Sequence, residues 1–288
     1  MIVSVVIPAY NEGEIIGVIL EQLIVLKEIN EIIVVDDGST DNTADIIRNF
    51  SDTRVHLQQH PYNIGNGAAV KTGIRAAKGD VIIMMDADGQ HPPEEIPEML
   101  LEMDKYAMVV GARGKGTTSA WHRDLANRMF NAYASYLVGY KIPDLTSGFR
   151  IIRANIVKSF LYLLPNGYSY PTTITVSLFR SGFPVKYHSF ASPARVGTSK
   201  IKPLRDGLRF LMILTRLGVF FVPLKVFVPL SLFLFIPGVV YTLLQIIVNR
   251  QFSGFGGLVT TLGVFIMLLG LIAEQIATLR YVNVGNTK

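Results

Sequence analysis

Residues 81–95, VIIMMDADGQHPPEE, end an apolar run in two aspartates, Asp86 and Asp88, with one alanine between them. Alternate strand residues share a face, but where a strand ends the chain turns and both carboxylates can face one ligand. Like charges that close raise each other's pKa unless a positive charge sits between or beside them. A hard divalent cation supplies it: Mg²⁺ takes one or two carboxylates together with substrate phosphates, and Mn²⁺ accepts similar ligands. A D-x-D at a strand end therefore suits a metal-bound diphosphate. A solvated turn is the alternative reading.

Further polar clusters follow apolar runs earlier in the chain: PAYNE at 8–12 and DDGST at 36–40. The elements that carry them alternate. Strands are expected at 2–7, 31–35, 54–58, 80–85 and 107–111. Helical patterns fill the gaps, with Ile15, Ile16, Ile19, Leu20 and Leu23 on one face after a cap at Asn11. Ser39, Thr40 and Asp41 offer caps for a second helix, a glycine-opened helix is expected at 65–77, and another at 125–138. Such alternation implies parallel βαβ units with helices on both faces of the sheet. Ligands of such sheets bind beyond the carboxyl ends of the strands, where these clusters fall. The amides opening the helix at 65–77 are placed to face a diphosphate.

The chain has 288 residues, 50% of them hydrophobic and 17% charged, with a formal net charge of +5. A basic balance favours phosphorylated ligands or anionic lipid. No run of Lys and Arg interleaved with aromatics occurs, which argues against nucleic acid. There is no cysteine, hence no disulfide and no thiolate metal site. The N-terminus reads as a strand, not a signal peptide.

The apolar excess lies after Leu204. A helix at 204–217 carries Arg205, Arg209 and Arg216 on one stripe, as a helix lying in a membrane interface would. No residue between Lys225 and Arg250, or between Arg250 and Glu274, is charged. Each gap makes roughly 35 Å of helix, enough to cross a bilayer. Spans are expected at 226–248 and 256–279. Lys200, Lys202, Arg205, Arg209, Arg216 and Lys225 flank the first span, against Arg250 in the turn. The positive-inside rule then puts the soluble part and both chain ends in the cytoplasm. Glu274 is expected to serve a helix end or to pair with Arg280.

VVIPAYNE, VVDDGSTDNT, NIGNGAAVKTGI, MMDADGQHPPEE, DLTSGFRII and RVGTSKIKP follow one another in an order and spacing that resemble the family-two inverting glycosyltransferases of GT-A type. The resemblance is to the polyprenyl-phosphate group typified by dolichol-phosphate mannose synthase, and covers residues 1–202. It implies a Rossmann-like mixed α/β sheet domain (1–202), an interfacial helix region (203–224) and a transmembrane hairpin with a short tail (225–288). It places Pro8, Tyr10 and Glu12 around the nucleoside, and Asp37 on the base or ribose. Gly67 and Lys71 would lie near the donor. Asp88 and Gln90 would bind the metal, with Asp86 as ligand or ribose contact. Arg113 and Arg123 would hold the acceptor phosphate, helped by Asn127, where the group usually has Ser, and by Arg128. Arg195, Ser199 and Lys200 match a basic loop closing over the phosphates. The chain departs from many relatives in having Asn66 where Lys is frequent and no carboxylate in YSYPTTITV.

The implied reaction is metal-dependent transfer of one hexose, with inversion, from a UDP- or GDP-sugar to a polyprenyl phosphate. A phosphate monoester has a second pKa near 6 and is largely ionised at neutral pH, so it needs positioning more than a general base. Asp144 either orients sugar or acceptor, or is a turn residue before a strand. The QxxRW signature of processive synthases does not occur, which favours single transfers. The rival reading is a membrane glycosyltransferase with a hydroxyl acceptor, which would need a base. Donor sugar, prenyl length and oligomeric state, a homo-oligomer included, stay open.

Overall fold

The computed structural model describes residues 1–114, 121–191 and 203–285, without the side chains of 121–126, 203–210 and 280–285. The chain forms two compact units, Met1–Leu208 and Arg209–Lys288. The first runs β1 (Val3–Ala9), α1 (Ile16–Ile24), β2 (Glu31–Asp36), α2 (Thr43–Arg48), β3 (Val55–Gln59), α3 (Asn66–Ala76) and β4 (Val81–Met84). It continues with α4 (Ile96–Leu101), β5 (Met108–Arg113), α5 (Trp121–Val138), β6 (Arg150–Arg153), α6 (Ala154–Ser159), α7 (Tyr170–Arg180) and β7 (Val185–Phe190). The seven strands form one sheet in the order β3-β2-β1-β4-β6-β5-β7.

All pairings are parallel except those of β6, which runs against both β4 and β5. A purely parallel reading therefore fails at β6. The chain leaves β5 at one rim and re-enters β6 from that same rim, so β6 must run the other way. The result is the mixed sheet that the family resemblance implies. The carboxyl ends of β1, β2, β4 and β5 and the amino end of β6 share one rim.

Every residue of β1 is buried, as expected of a strand covered on both faces. Val5 and Ile7 join Ile16, Ile19, Leu20 and Leu23 of α1 in one apolar cluster. Val6 joins Val70 and Ile74 of α3 and Ile174 of α7 in the other. Each such aliphatic side chain contributes about 1.5–3 kcal/mol by burial.

The helix starts differ from the sequence reading. Asn11 does not cap α1: its backbone is left-handed (φ 55°), and its side-chain oxygen accepts from Thr40 N at 2.8 Å. The amides of Ile15 and Ile16 bond to Glu12 O instead. At α2, only Asp41 of the expected caps accepts a helix-start amide, that of Thr43, at 3.0 Å.

The division falls inside α8 (Pro203–Phe221); the second unit holds the rest of α8 together with α9 (Pro223–Asn249) and α10 (Gly254–Gly285). Both α9 and Gly254–Leu279 are long and apolar enough to cross a membrane. Their seam is built from small residues. A Cβ on Gly263 would lie 2.8 Å from Phe235 N, and Ser231 Oγ donates to Gly263 O at 2.8 Å. Pro229 and Pro237 sit within α9 without ending it. Glu274 Oε2 accepts from Leu224 N at the start of α9, at 3.4 Å, which fits the helix-end reading; the Arg280 side chain lies outside the described residues.

Candidate active site

Two rim loops are joined by hydrogen bonds. Asn11 N donates to Ser39 Oγ (2.9 Å), Glu12 N to Thr43 Oγ1 (2.9 Å) and Gly13 N to Asp41 Oδ2 (3.1 Å). Pro8 is buried within β1, Glu12 is half-buried and Tyr10 is exposed on the loop.

Asp37 is buried and heavily engaged. His60 Nδ1 lies 2.7 Å from Oδ1, which also accepts from Ile64 N (3.0 Å); Oδ2 accepts from Gly65 N (2.8 Å). The far nitrogen of His60 meets Thr72 Oγ1 at 2.9 Å. Asp37 thus ties the end of β2 to the entry of α3. Any contact with a base or ribose has to be made around these bonds.

The start of α3 is covered by the backbone of residues 164–167. Ala68 N donates to Asn166 O at 3.1 Å, and Lys71 Nζ donates to Leu164 O and Asn166 Oδ1 at 3.1 and 2.5 Å. A Cβ on Gly67 would lie 2.6 Å from Gly167 O. Gly65 has φ +124° and would bring a Cβ 2.5 Å from Asn166 O. These glycines admit a neighbouring backbone where the sequence reading expected a diphosphate. Burial, with Arg75 nearby, lowers the Lys71 pKa.

The carboxylate turn follows β4. Gly89, at φ +71°, lets the chain fold between Asp88 and Gln90, and Gln90 N donates to Asp88 Oδ1 at 3.2 Å. Asp86, Asp88 and Gln90 are all half-buried. His91 is buried, stacks on Phe149 (5.3 Å between centroids) and accepts from Asp86 N through Nδ1 at 2.9 Å. Burial, against the pull of Asp88, pushes its pKa down to about 4, so the ring is neutral at neutral pH. Its proton then sits on Nε2, 3.9 Å from Asp86 Oδ2. Gly148 leaves room for the Asp86 side chain: a Cβ there would lie 2.9 Å from its carboxyl carbon.

Arg113, the last residue of β5, closes the other side. Its Nε and Nη2 donate to the two oxygens of Asp144 at 2.8 and 3.1 Å, and Nη2 also donates to Thr146 Oγ1 at 2.8 Å. Asp144 Oδ1 accepts from Thr146 N and Ser147 N, each at 3.1 Å, so it is both the turn residue and the partner of Arg113. Burial pulls the Asp144 pKa up, but the hydrogen bonds and charge of Arg113 prevail and hold it low. Burial works against the Arg113 charge, yet Asp144, with Asp86 and Asp88 also in electrostatic reach, raises its pKa. The structure therefore gathers Asp86, Asp88, Arg113 and Asp144 at one place. Asn127 and Arg128 are exposed on α5. The side chain of Arg123, and Arg195, Ser199 and Lys200, lie outside the described residues.

Asp86, Asp88 and the Gln90 amide offer oxygen donors on a partly open turn, a set that fits a hard divalent ion. A second cluster, Glu95, Glu98 and His188, brings its ligand atoms within 4.8 Å of one another. There His188 Nε2 and Glu95 Oε2 already satisfy each other at 2.7 Å.

Residues 4–161, more than half of the chain, match glycosyl transferase family 2, and residues 222–279 match the GtrB C-terminal hairpin. The chain belongs to glycosyl transferase family 2. Its hairpin and two apolar helices mark it as a membrane protein of that family. It is 37% identical over 166 residues to an undecaprenyl-phosphate 4-deoxy-4-formamido-L-arabinose transferase of Proteus mirabilis, covering 55% of this chain and 51% of that one. It is 34% identical over 167 residues to the protein of that name in Edwardsiella ictaluri, covering 56% and 51%. The chain thus spans about half the length of these curated relatives. Glucosyl-3-phosphoglycerate synthase from Mycobacterium tuberculosis, in complex with Mn²⁺ and UDP-glucose, shares the fold: TM-score 0.60, 20% identity, 75% of this chain and 79% of that one. The fold is therefore GT-A.

Three residues of this family member carry no signal of their role in the sequence, and His91, directly after the carboxylate turn, is legible there only as a possible rim residue. His60 has no metal-ligand spacing to mark it. Arg150 sits within the quoted DLTSGFRII but had no role. Asn166, the partner of Lys71, carried no local signal.

Proposed function

We propose that this chain moves one sugar from a nucleoside-diphosphate sugar to a polyprenyl phosphate, with inversion. The observation that carries the reading is the meeting of Asp86 and Asp88 with the Arg113–Asp144 pair at one rim. One side offers oxygen ligands for a metal-bound donor diphosphate, the other a cation for an anionic acceptor. The names of the relatives support a lipid phosphate as acceptor.

Asp86, Asp88 and Gln90 would hold the divalent ion. When bound, it would take up negative charge on the departing nucleoside diphosphate. Arg113, its Nε and Nη2 held by Asp144 and Thr146, would draw the acceptor phosphate toward the sugar by its charge. Arg123, Asn127, Arg128, Arg195, Ser199 and Lys200 would complete that grip. Pro8, Tyr10, Glu12, Asp37 and Lys71 would surround the nucleoside end.

The state of Asp144 favours a phosphate over a hydroxyl acceptor. Its oxygens are engaged by Arg113 and two amides, and its pKa is held low, which makes it a poor general base. An ionised phosphate needs none. The positive flank before α9 supports a cytoplasmic catalytic unit with both chain ends on that side. The full-length protein, assayed with UDP- and GDP-sugars against a short polyprenyl phosphate with and without Mn²⁺, tests the reading. Sugar transfer that needs the metal supports it; a lipid alcohol preferred over the lipid phosphate overturns it.

A further inference from the structure

Arg150 opens β6 and is fully buried. A guanidinium taken out of water is costly unless its donors are satisfied and its charge is balanced. Its donors are satisfied by neutral groups. Nε and Nη2 reach Ser147 O at 2.9 and 2.7 Å, and Nη1 reaches Pro171 O and Thr175 Oγ1 at 2.9 and 2.8 Å. The balancing charges lie farther off. Burial acts against the cation, while the carboxylates of Asp144 and Asp86 act to keep it.

These bonds join two pieces of chain. Ser147 lies in the turn that Asp144 closes through the amides of Thr146 and Ser147. The next residue, Gly148, is the one against which the Asp86 side chain rests. Pro171 and Thr175 belong to the first turns of α7. The hydroxyls of Tyr170 and Tyr187 are buried without a hydrogen-bond partner, and burial raises the pKa of both phenols. They offer no anionic counter-charge; among the described residues Asp144 and Asp86 are the carboxylates in electrostatic reach of the buried cation.

We propose that Arg150 is a positioning residue for sugar transfer: its guanidinium clamps the 144–148 turn to the start of α7, and so sets Asp144 and Asp86, with Arg113, in one working arrangement. This rests on the sugar-transfer reading above. It assigns Arg150 no contact with donor or acceptor. Its effect is on geometry and charge at the rim, so it belongs in the turnover rate of the bound complex more than in donor affinity.

The test uses the full-length protein in detergent with Mn²⁺. The variants are Arg150→Met, which keeps bulk and loses charge, Arg150→Lys, which keeps charge and loses the fork, and Thr175→Val, which removes one acceptor. Thermal unfolding gives the folded fraction of each, and rates are referred to folded enzyme. Misplacement of reacting groups by about 1 Å costs roughly 100-fold, so Arg150→Met should lose about that much in kcat with the donor KM changed less than about 3-fold. Arg150→Lys should recover about 10-fold of the loss, and Thr175→Val should lose about 3- to 10-fold. A merely structural arginine would lower the melting temperature but leave kcat per folded enzyme as in the wild type. That result overturns the role of Arg150 while the sugar-transfer reading stands. Should Arg150→Met not fold, an unchanged kcat in folded Thr175→Val overturns the clamp. A wild-type enzyme that transfers no sugar to any acceptor overturns the sugar-transfer reading, and the role of Arg150 with it.

Discussion

Asp88 and Arg113 bring opposite charges to the same rim, and their removal should differ in what survives. Asp88 is half-exposed, so Asp88→Asn should keep the fold and its melting temperature. Its sugar transfer should fall about 100-fold or more, as expected when stabilisation of a leaving group is removed. Arg113→Met is a stability change as well. It leaves Asp144 buried without its cation, at a cost of about 2–3 kcal/mol, less than for a sealed pair because Arg113 is about a third exposed. The pH dependence has a definite sign. Asp144 has a depressed pKa when folded, so its stabilising contribution is full above the ordinary carboxylate range and lost as pH falls through the lowered value. In Arg113→Met only the backbone amides oppose burial, so the pKa lies higher than in the wild type and protonation relieves part of the penalty. Denaturant midpoints of the two proteins should therefore converge as pH falls from 7 toward 3. Parallel curves would contradict the pairing. At this scale Asp86 and Asp88 were legible because two charges at the end of an apolar run are a local pattern. His60 and Arg150 were not: His60 acts on Asp37, 23 residues away, and Arg150 on Thr175, 25 residues away.

Elements were legible wherever one face repeats. The spacing of Ile16, Ile19, Leu20 and Leu23 fixed α1 as a helix, and β-branched runs marked β1 and β2. Helix starts were not. Asn11 looks like a cap because its side chain accepts hydrogen bonds, but the donor it finds is on another loop. The antiparallel course of β6 also escaped, since local pattern says nothing about the rim from which a strand is entered. The glycines of NIGNGAAVKTGI were visible as a motif, but their reason is tertiary: residues 164–167 pass too close for a Cβ. Gly67→Ala should thus destabilise the first unit by about 1–3 kcal/mol, by overpacking against backbone that has little room to move. Urea unfolding measures it; an unchanged midpoint would mean the loop is not seated on α3.

On the scale of the whole molecule, hydropathy alone exposed the hairpin, because α9 and α10 turn many apolar side chains outward and are long and apolar enough to cross a membrane. Its orientation rests on flanking charge. The chain has no cysteine, so Gln251→Cys places one thiol between the two helices. With both chain ends cytoplasmic, that thiol should react with a membrane-impermeant maleimide added outside intact cells. Labelling only after the membrane is opened would reverse the orientation. The central claim is the acceptor. The most direct measurement compares a short polyprenyl phosphate with the matching polyprenol, using the full-length protein, Mn²⁺ and a panel of UDP- and GDP-sugars. Transfer to the phosphate, lost on chelation of the metal, and none to the alcohol is the expected result; efficient transfer to the alcohol, or undiminished transfer with the metal removed, overturns the proposed reaction.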